Sequence, residues 1–435
     1  MTISCEKTIV DNINPDKNKI PHHIYIDCSG TFYTGFNSGI QRTVRNIVLR
    51  SKKTEEKYSM HVIPVIAVLG KFVEINFDDL SRRFYEEKRT LFDKLSEHYL
   101  NAEKKATVSG SYPGINNKTD KPKINDYIKV RIKLKTAILS NVRIYLKNIF
   151  QIVFFGYLFF LKKYRFKIVK ADSNDLIFLP DAYWSFNVLS IAKRYKAKNR
   201  VPVITLVHDI IPIRYPQFFD SLRINVLTKH INDMTDYSDG FICASKNSAD
   251  ELKNYLKKRQ LSKNGCELIK KPIDYFYQGN NFAEIKDISG LSIRSDIKNI
   301  LKNKNAFLMV GTVEPRKNHI FVLDIFEKLW ENGFEAHLII IGAIGWNCDN
   351  IIKRFQNSKY LDSYLFVYHD INDAELDYLY KNSKALIIPS IAEGFGFPLV
   401  EAAQNNINVF ASDIPVFREI GGDYPVYFSL AHVLR

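Results

Sequence analysis

Glu393-Gly-Phe-Gly-Phe-Pro-Leu-Val-Glu401 follows the apolar run Leu386–Ser390, and its reading decides the fold. Pro398 suits the first turn of a helix that Ala402–Gln404 continue. Strand, glycine-bearing loop and helix in that order make one unit of a parallel sheet. A loop at the carboxyl end of such a strand is where open α/β sheets bind ligands. Gly394 and Gly396 let backbone N–H groups come close to a ligand, and the helix N-terminus adds positive potential. Glu393 falls in the loop and Glu401 about one turn inside the helix, so one carboxylate can grip sugar hydroxyls while the other accepts bonds from a ribose diol. The alternative is an exposed glycine-rich turn with a glutamate serving the helix dipole. Both glycines and the proline in register favour the ligand loop.

The same alternation extends on both sides. Apolar runs at Phe307–Gly311, Leu338–Gly342, Leu365–Tyr368, Asn408–Ser412 and Val426–Phe428 are separated by helix-like stretches such as His319–Trp330 and Asp373–Lys381. Continuous apolar strands between amphipathic helices predict a parallel sheet covered on both faces. Earlier, His23–Asp27, Val62–Leu69, Asp175–Pro180, Val203–His208 and Gly240–Ser245 read as strands, with helices near Gly39–Arg50, Asn187–Tyr195 and Lys246–Lys257. Tyr277–Lys304 is polar and rich in Asn and Lys, as a linker would be. The expectation is an α/β chain of two Rossmann-like, doubly wound domains, residues 1–300 and 301–435.

A length of 435 residues agrees with two or three domains, and 46% hydrophobic with 25% charged residues is ordinary globular usage. Five scattered cysteines (5, 28, 243, 266 and 348) without a C-x-x-C pair argue against a disulfide framework or a cysteine zinc site. They fit a reducing cytoplasm. Residues 1–20 carry no apolar signal core, so secretion is not expected.

The net charge of +15 is concentrated. Between Lys121 and Lys170, thirteen Lys and Arg face one acid, Asp126, so this stretch alone holds +12. The near-neutral remainder argues against a nucleic-acid binder. Within the insert at about 101–170, the run Phe150–Leu161 is too short to cross a hydrocarbon core about 30 Å thick. With its basic flanks it can lie in the headgroup boundary of an anionic membrane, residues 127–170 making the contact. The alternative is a buried hydrophobic helix with solvated charged ends.

A second constellation is Gly311-Thr-Val-Glu-Pro-Arg-Lys-Asn318, directly after the strand Phe307–Val310. Arg316 and Lys317 offer a planar fork and a point charge, a pairing suited to a diphosphate. Cations at the start of a helix oppose its dipole and so imply an anion nearby to offset them. Asn318 is a candidate N-cap. In Leu206-Val-His-Asp-Ile-Ile-Pro212, His208 and Asp209 end a strand, where a histidine can touch a substrate or simply cap the strand. Asp27-Cys-Ser-Gly-Thr31 and Ser38-Gly-Ile-Gln-Arg42 frame a loop in which Gly39 could face a phosphate. No cluster has metal-ligand spacing, and no metal is expected.

Taken together, EGFGFPLVE, GTVEPRKN, LVHDIIP, GWNCDNI and SGIQR resemble glycosyltransferase family 4, retaining enzymes of the GT-B fold, and within it the bacterial mannosyltransferase-like members of surface polysaccharide synthesis. The likeness covers residues 23–50 and 200–428. It implies two domains facing across a cleft, a nucleotide-sugar donor (GDP-mannose favoured) with no further cofactor, and a lipid-linked or polysaccharide acceptor. By position it implies that Glu401 binds the ribose and Glu393 the donor sugar, that Arg316 and Lys317 neutralise the diphosphate, and that His208 lies beside the sugar. Gly39, Gly311, Gly394, Phe395 and Gly396 would complete the donor site. The expected location is the cytoplasmic face of the membrane. Only Ser429–Arg435 follow the last strand, a shorter ending than the family's usual one. A nucleotide-sugar epimerase and an inactive nucleotide-sugar-binding scaffold are the competing readings.

Overall fold

The computed structural model describes residues 20–34, 39–76, 167–182, 187–263, 271–279, 292–302 and 305–430. The aromatic run 150–161, and residues 127–166 of the membrane contact expected over 127–170, lie outside the described residues. By contact the chain divides into two compact units. The smaller contains residues 23–172 and 181–191, and the larger contains 1–22, 173–180 and 192–435.

In the smaller unit, β1 (His23–Asp27) is followed by α1 (Ser29–Thr34), α2 (Gly39–Tyr58), β2 (His61–Val68) and β3 (Lys71–Glu74). β1 and β2 run parallel, with His23 opposite His61 and Asp27 opposite Val65. β3 returns antiparallel on β2. Nothing in the sequence pattern announced this hairpin. Its two turn residues, Leu69 and Gly70, both have positive φ (45° and 79°), a conformation normally signalled by Asn-Gly or Asp-Gly.

The larger unit carries two parallel sheets. The first has β4 (Leu176–Leu179), β5 (Val203–Val207), β6 (Gly240–Cys243) and β7 (Ile273–Tyr275) in that order. Its helices are α3 (Val188–Asn199), α4 (Ile211–Arg214), α5 (Ser221–Tyr237) and α6 (Lys246–Lys263). All five residues of β5 are buried, which is why it reads as an unbroken apolar run. Two elements had no clear sequence signal, β7 and α5. Asp220 opens α5 by accepting from Arg223 N at 2.9 Å.

The second sheet is six-stranded, ordered β10-β9-β8-β11-β12-β13. It comprises β8 (Ala306–Val310), β9 (His337–Ile341), β10 (Leu365–Tyr368), β11 (Ala385–Ile388), β12 (Asn408–Ser412) and β13 (Val426–Phe428). Its helices are α7 (Ser295–Ile300), α8 (His319–Glu331), α9 (Asp349–Gln356), α10 (Asp373–Asn382), α11 (Phe397–Gln404) and α12 (Pro415–Gly421). Apolar cores cover both faces, one around Leu308, Leu386 and Phe417, the other around Leu323, Phe326 and Ile340. This alternation is Rossmann-like, as the apolar runs predicted. The stretch read as linker is corrected in one respect. It contains α7, whose Ile297 and Ile300 are buried in the first of these cores, and two apolar residues three apart were hidden by the surrounding Asn and Lys.

Candidate active site

Three loops at carboxyl ends of strands in the larger unit meet around one carboxylate. The first follows β8, where Gly311–Glu314 lead into a single 3-10 turn, Pro315–Lys317, before α8. The second follows β11 and runs through Ser390, Glu393 and Gly396 into α11. The third follows β5 and carries His208 and Asp209. Backbone bonds join the first two, Ile391 N donating to Arg316 O at 2.8 Å.

Glu393 is held from several sides. Arg316 Nη1 donates to its Oε2 at 2.8 Å and to Ala392 O at 2.8 Å. Lys317 Nζ pairs with its Oε1, which also accepts from Ser390 Oγ at 2.7 Å. Burial by itself would raise the Glu393 carboxyl. The charges of Lys317 and Arg316 and the Ser390 hydroxyl reverse that and hold it down to about 2. Lys317 is lowered by burial despite Glu393, while Arg316, buried but flanked by Glu393 and Glu314, is held more firmly in its charged form.

The anion implied by two cations before a helix is therefore supplied by the chain itself, and twice. Glu314 Oε1 lies 2.6 Å from Arg316 Nη2, without the alignment of a hydrogen bond. Its side chain is only 1% exposed. Burial raises its carboxyl although Arg316 and Lys317 oppose the rise. Glu314 was not among the expected site residues. Next along the chain, His319 is buried, and burial followed by the charge of Lys317 pushes its ring down to about 3, so it stays neutral.

Asn318 occupies the N-cap position of α8 as expected, but it sits in the left-handed region (φ 56°) and makes no side-chain capping bond. The backbone turn, rather than a cap, delivers Arg316 and Lys317 to Glu393.

His208 is anchored, its Nε2 lying 2.8 Å from Pro180 O. A carbonyl only accepts, so Nε2 carries the hydrogen. The His208 backbone packs against Gly394, where a Cβ would lie 2.3 Å from His208 O. Gly396 has φ +96°, and a Cβ there would lie 2.7 Å from the Phe417 ring. These two glycines are thus required by close approach and by backbone conformation respectively. Phe395 is buried between them. Gly394 O also accepts from Ser245 Oγ at 2.8 Å and Ser248 Oγ at 3.1 Å, at the start of α6. Glu419 of α12 accepts from Lys246 N and Asn247 N at 2.6 and 2.7 Å, satisfying donors in the same first turn. The serines were missed because a lone S-x-x-S at a helix start reads as capping.

Two further expected donor residues lie on helices. Glu401 is on α11, 1% exposed, accepting from Tyr380 Oη at 2.7 Å. Gly39 is the first residue of α2, in the smaller unit. Gly311 lies under the Lys317 stem, with a Cβ there 3.4 Å from Lys317 Cε. Gly342, after β9, was also missed. A Cβ on it would lie 1.8 Å from Gly311 O, so only glycine lets β8 and β9 end side by side. Among the described residues, no group of three or more His, Cys, Asp and Glu side chains is placed to share a metal ion.

The cation pair and its two carboxylates stand at the carboxyl ends of parallel strands, where open α/β sheets bind ligands. Residues 293–425, which contain the Arg316–Lys317 turn and the Glu393 loop, match the family of glycosyl transferases group 1, in line with the motif resemblance. The chain is 33% identical over 227 residues, 52% of its length, to the serotype-specific mannosyltransferase WbdA of Escherichia coli, of which it covers 27%. It is 35% identical over 128 residues, 29% of its length, to the O-antigen chain mannosyltransferase RfbU of Salmonella typhimurium, covering 35% of that protein. It thus spans about a quarter to a third of the length of these relatives. Among solved structures, HepE of Anabaena, in complex with UDP and glucose, is similar over 94% of this chain and 85% of its own, at 13% identity and a TM-score of 0.48.

Proposed function

We propose that this chain is a retaining glycosyltransferase that moves a hexose, mannose by preference, from a nucleoside diphosphate sugar to a lipid-linked or polysaccharide acceptor in surface glycan synthesis. One observation carries the reading: Arg316, Lys317 and Glu393 converge in one buried cluster at the ends of β8 and β11. The likeness to O-antigen mannosyltransferases supports the substrate class.

Cleavage of the anomeric C–O bond builds negative charge on the leaving diphosphate and positive charge on the sugar ring. Arg316 and Lys317 stabilise the first charge. They are already desolvated and in place, so little reorganisation is needed as the charge develops. Glu393 releases the cations to the phosphates and turns its carboxylate to the sugar hydroxyls. With the acceptor attacking on the leaving-group face, its proton passes to the departing phosphate oxygen, so no dedicated base and no metal are required. His208, its ring fixed by Pro180, orders the sugar side of the site.

No helix among the described residues is long and apolar enough to cross a membrane. The basic stretch 127–170 is proposed to hold the protein on the anionic inner face of the cytoplasmic membrane. Deletion of that stretch is expected to abolish co-sedimentation with anionic vesicles.

The test of function is transfer from a panel of GDP- and UDP-sugars, preceded by thermal shifts, since a donor that binds the native state raises its apparent stability. The expected result is a shift with one donor, transfer to a lipid-linked glycan, and an unchanged anomeric configuration in the product by NMR. Glu393→Ala is expected to lose nearly all transfer while remaining folded, and an active Glu393→Ala protein overturns the assignment.

A further inference from the structure

The charge inventory of the cluster leads beyond donor binding. Two cations, Arg316 and Lys317, are already matched by two carboxylates, Glu314 and Glu393. A third carboxylate, Asp209 on the loop after β5, acts electrostatically on both Arg316 and Glu314. A nucleoside diphosphate adds about three further negative charges to this set near pH 7.5, about two of them on its terminal phosphate. Buried charges that lack partners are costly, so such an anion cannot simply be added to a site that is already neutral or negative. In the donor reading Glu393 is left to the sugar. Glu314 is the more deeply placed of the two carboxylates. Its side chain is 1% exposed, a Cβ on Gly345 of the loop after β9 would lie 3.3 Å from its own Cβ, and its backbone is fixed by the turn in which Lys317 N donates to Glu314 O at 3.0 Å.

We propose that Glu314 is a proton-exchanging positioning residue: as a carboxylate it holds Arg316 in place, and when a nucleoside diphosphate occupies Arg316 and Lys317 it takes up one proton from solvent. This rests on the diphosphate-donor reading above. The ionisable groups around Glu314 support the choice. On its own turn stand Arg316 and Lys317, on α8 the neutral His319, on the loop after β11 Glu393, and on the loop after β5 Asp209. Burial has already brought Glu314 closer to its neutral form, while Glu393 is held ionised. When phosphate oxygens draw Arg316 and Lys317 to themselves, the groups that kept Glu314 charged are spent and the new negative charge adds to its cost. The neutral acid can then donate a hydrogen bond, to a phosphate oxygen or to Glu393.

The experiment is calorimetric titration of the full chain with GDP and with UDP at pH 7.5, in HEPES and in Tris, whose differing ionisation heats report protons exchanged on binding. The expected result is net uptake approaching one proton, with affinity weakening by up to about tenfold per pH unit above neutrality. In Glu314→Gln, which carries the neutral form permanently, uptake is expected to vanish and the affinity to lose most of its pH dependence. Glu314→Asp is expected to restore uptake. Binding without uptake in the unaltered protein, or uptake that persists in Glu314→Gln, overturns this inference and leaves the donor reading standing. Should Glu314→Gln fail to fold, uptake in the unaltered chain and in Glu314→Asp decides. Failure of both nucleotides to bind overturns the donor reading, and this inference with it.

Discussion

Two pairs of carboxylates follow strands in this molecule, one in each unit, and burial acts on them with different outcomes. In the larger unit, Glu314 and Glu393 share Arg316 and Lys317, and Glu393 is held down to about 2. In the smaller unit, Asp27 and Asp181 are both fully buried and are met by hydroxyl and backbone donors. Asp27 Oδ1 accepts from Ser29 Oγ at 2.5 Å, while Asp181 accepts from Thr31 N at 2.6 Å and Ala182 N at 2.7 Å. Burial and then the neighbouring Asp181 push Asp27 up to about 8, against the Ser29 bonds. Depth in the protein is therefore not what separates Glu393 from Asp27. The guanidinium and ammonium groups beside Glu393 are.

The largest expected effect comes from making the first pair resemble the second. Arg316→Met strands Glu314 and Glu393. Loss of one partner of a buried pair is expected to cost about 3–5 kcal/mol near pH 7 by urea unfolding. Because Glu393 is depressed in the folded state, its contribution exists above the ordinary carboxylate range and is lost as pH falls toward 2. The gap between variant and parent should therefore narrow in acid, and a gap constant down to pH 3 contradicts the pairing. The same variant is expected to lose about 10²- to 10³-fold in transfer rate, the usual effect of removing one stabiliser of developing charge.

A comparable effect, spread over the pH range, is expected in the second pair. Asp27 is raised in the folded state, so stability should be greatest below its unfolded range near 4 and should fall as pH rises through about 8. The slope is up to about 1.4 kcal/mol per pH unit. Asp27→Asn removes that titration. Unfolding at pH 5 and pH 8 should show the variant gaining on the parent as pH rises, and equal slopes contradict the shared burial of the two acids.

The smallest effect concerns the scaffold that holds the first pair. Glu419→Ala removes the acceptor for Lys246 N and Asn247 N and is expected to cost about 1 kcal/mol, as loss of a helix cap does. A loss above about 3 kcal/mol by chemical denaturation would mean that α12 supports the Gly394 loop far more than capping requires.

Much of the second sheet was legible because its strands are short, nearly continuous apolar runs. β10, β12 and β13 fall where the apolar runs placed them, and α11 carries its proline in the first turn. Less visible were the elements whose stability is borrowed. The β2–β3 hairpin turns on Leu69, a residue with no local preference for positive φ. α7 depends on Ile297 and Ile300 finding a core already formed by residues a hundred positions on. At the site, Arg316, Lys317 and Glu393 were recognisable as residue types in motifs. Ser245 and Gly342 were not, since each acts through a contact across the chain, and Glu314 was not, although its partner Arg316 stands only two residues away.

The order of apolar runs and glycine turns determined by itself that parallel sheets would form, with ligand loops at their carboxyl ends, because hydrophobic periodicity and backbone sterics are local properties. Which charges would neutralise one another was decided only in three dimensions. Pairing at 2.8 Å between residues 77 positions apart depends on how β8 and β11 lie side by side, and the protonation state of a buried carboxyl follows from its neighbours in space, not in sequence.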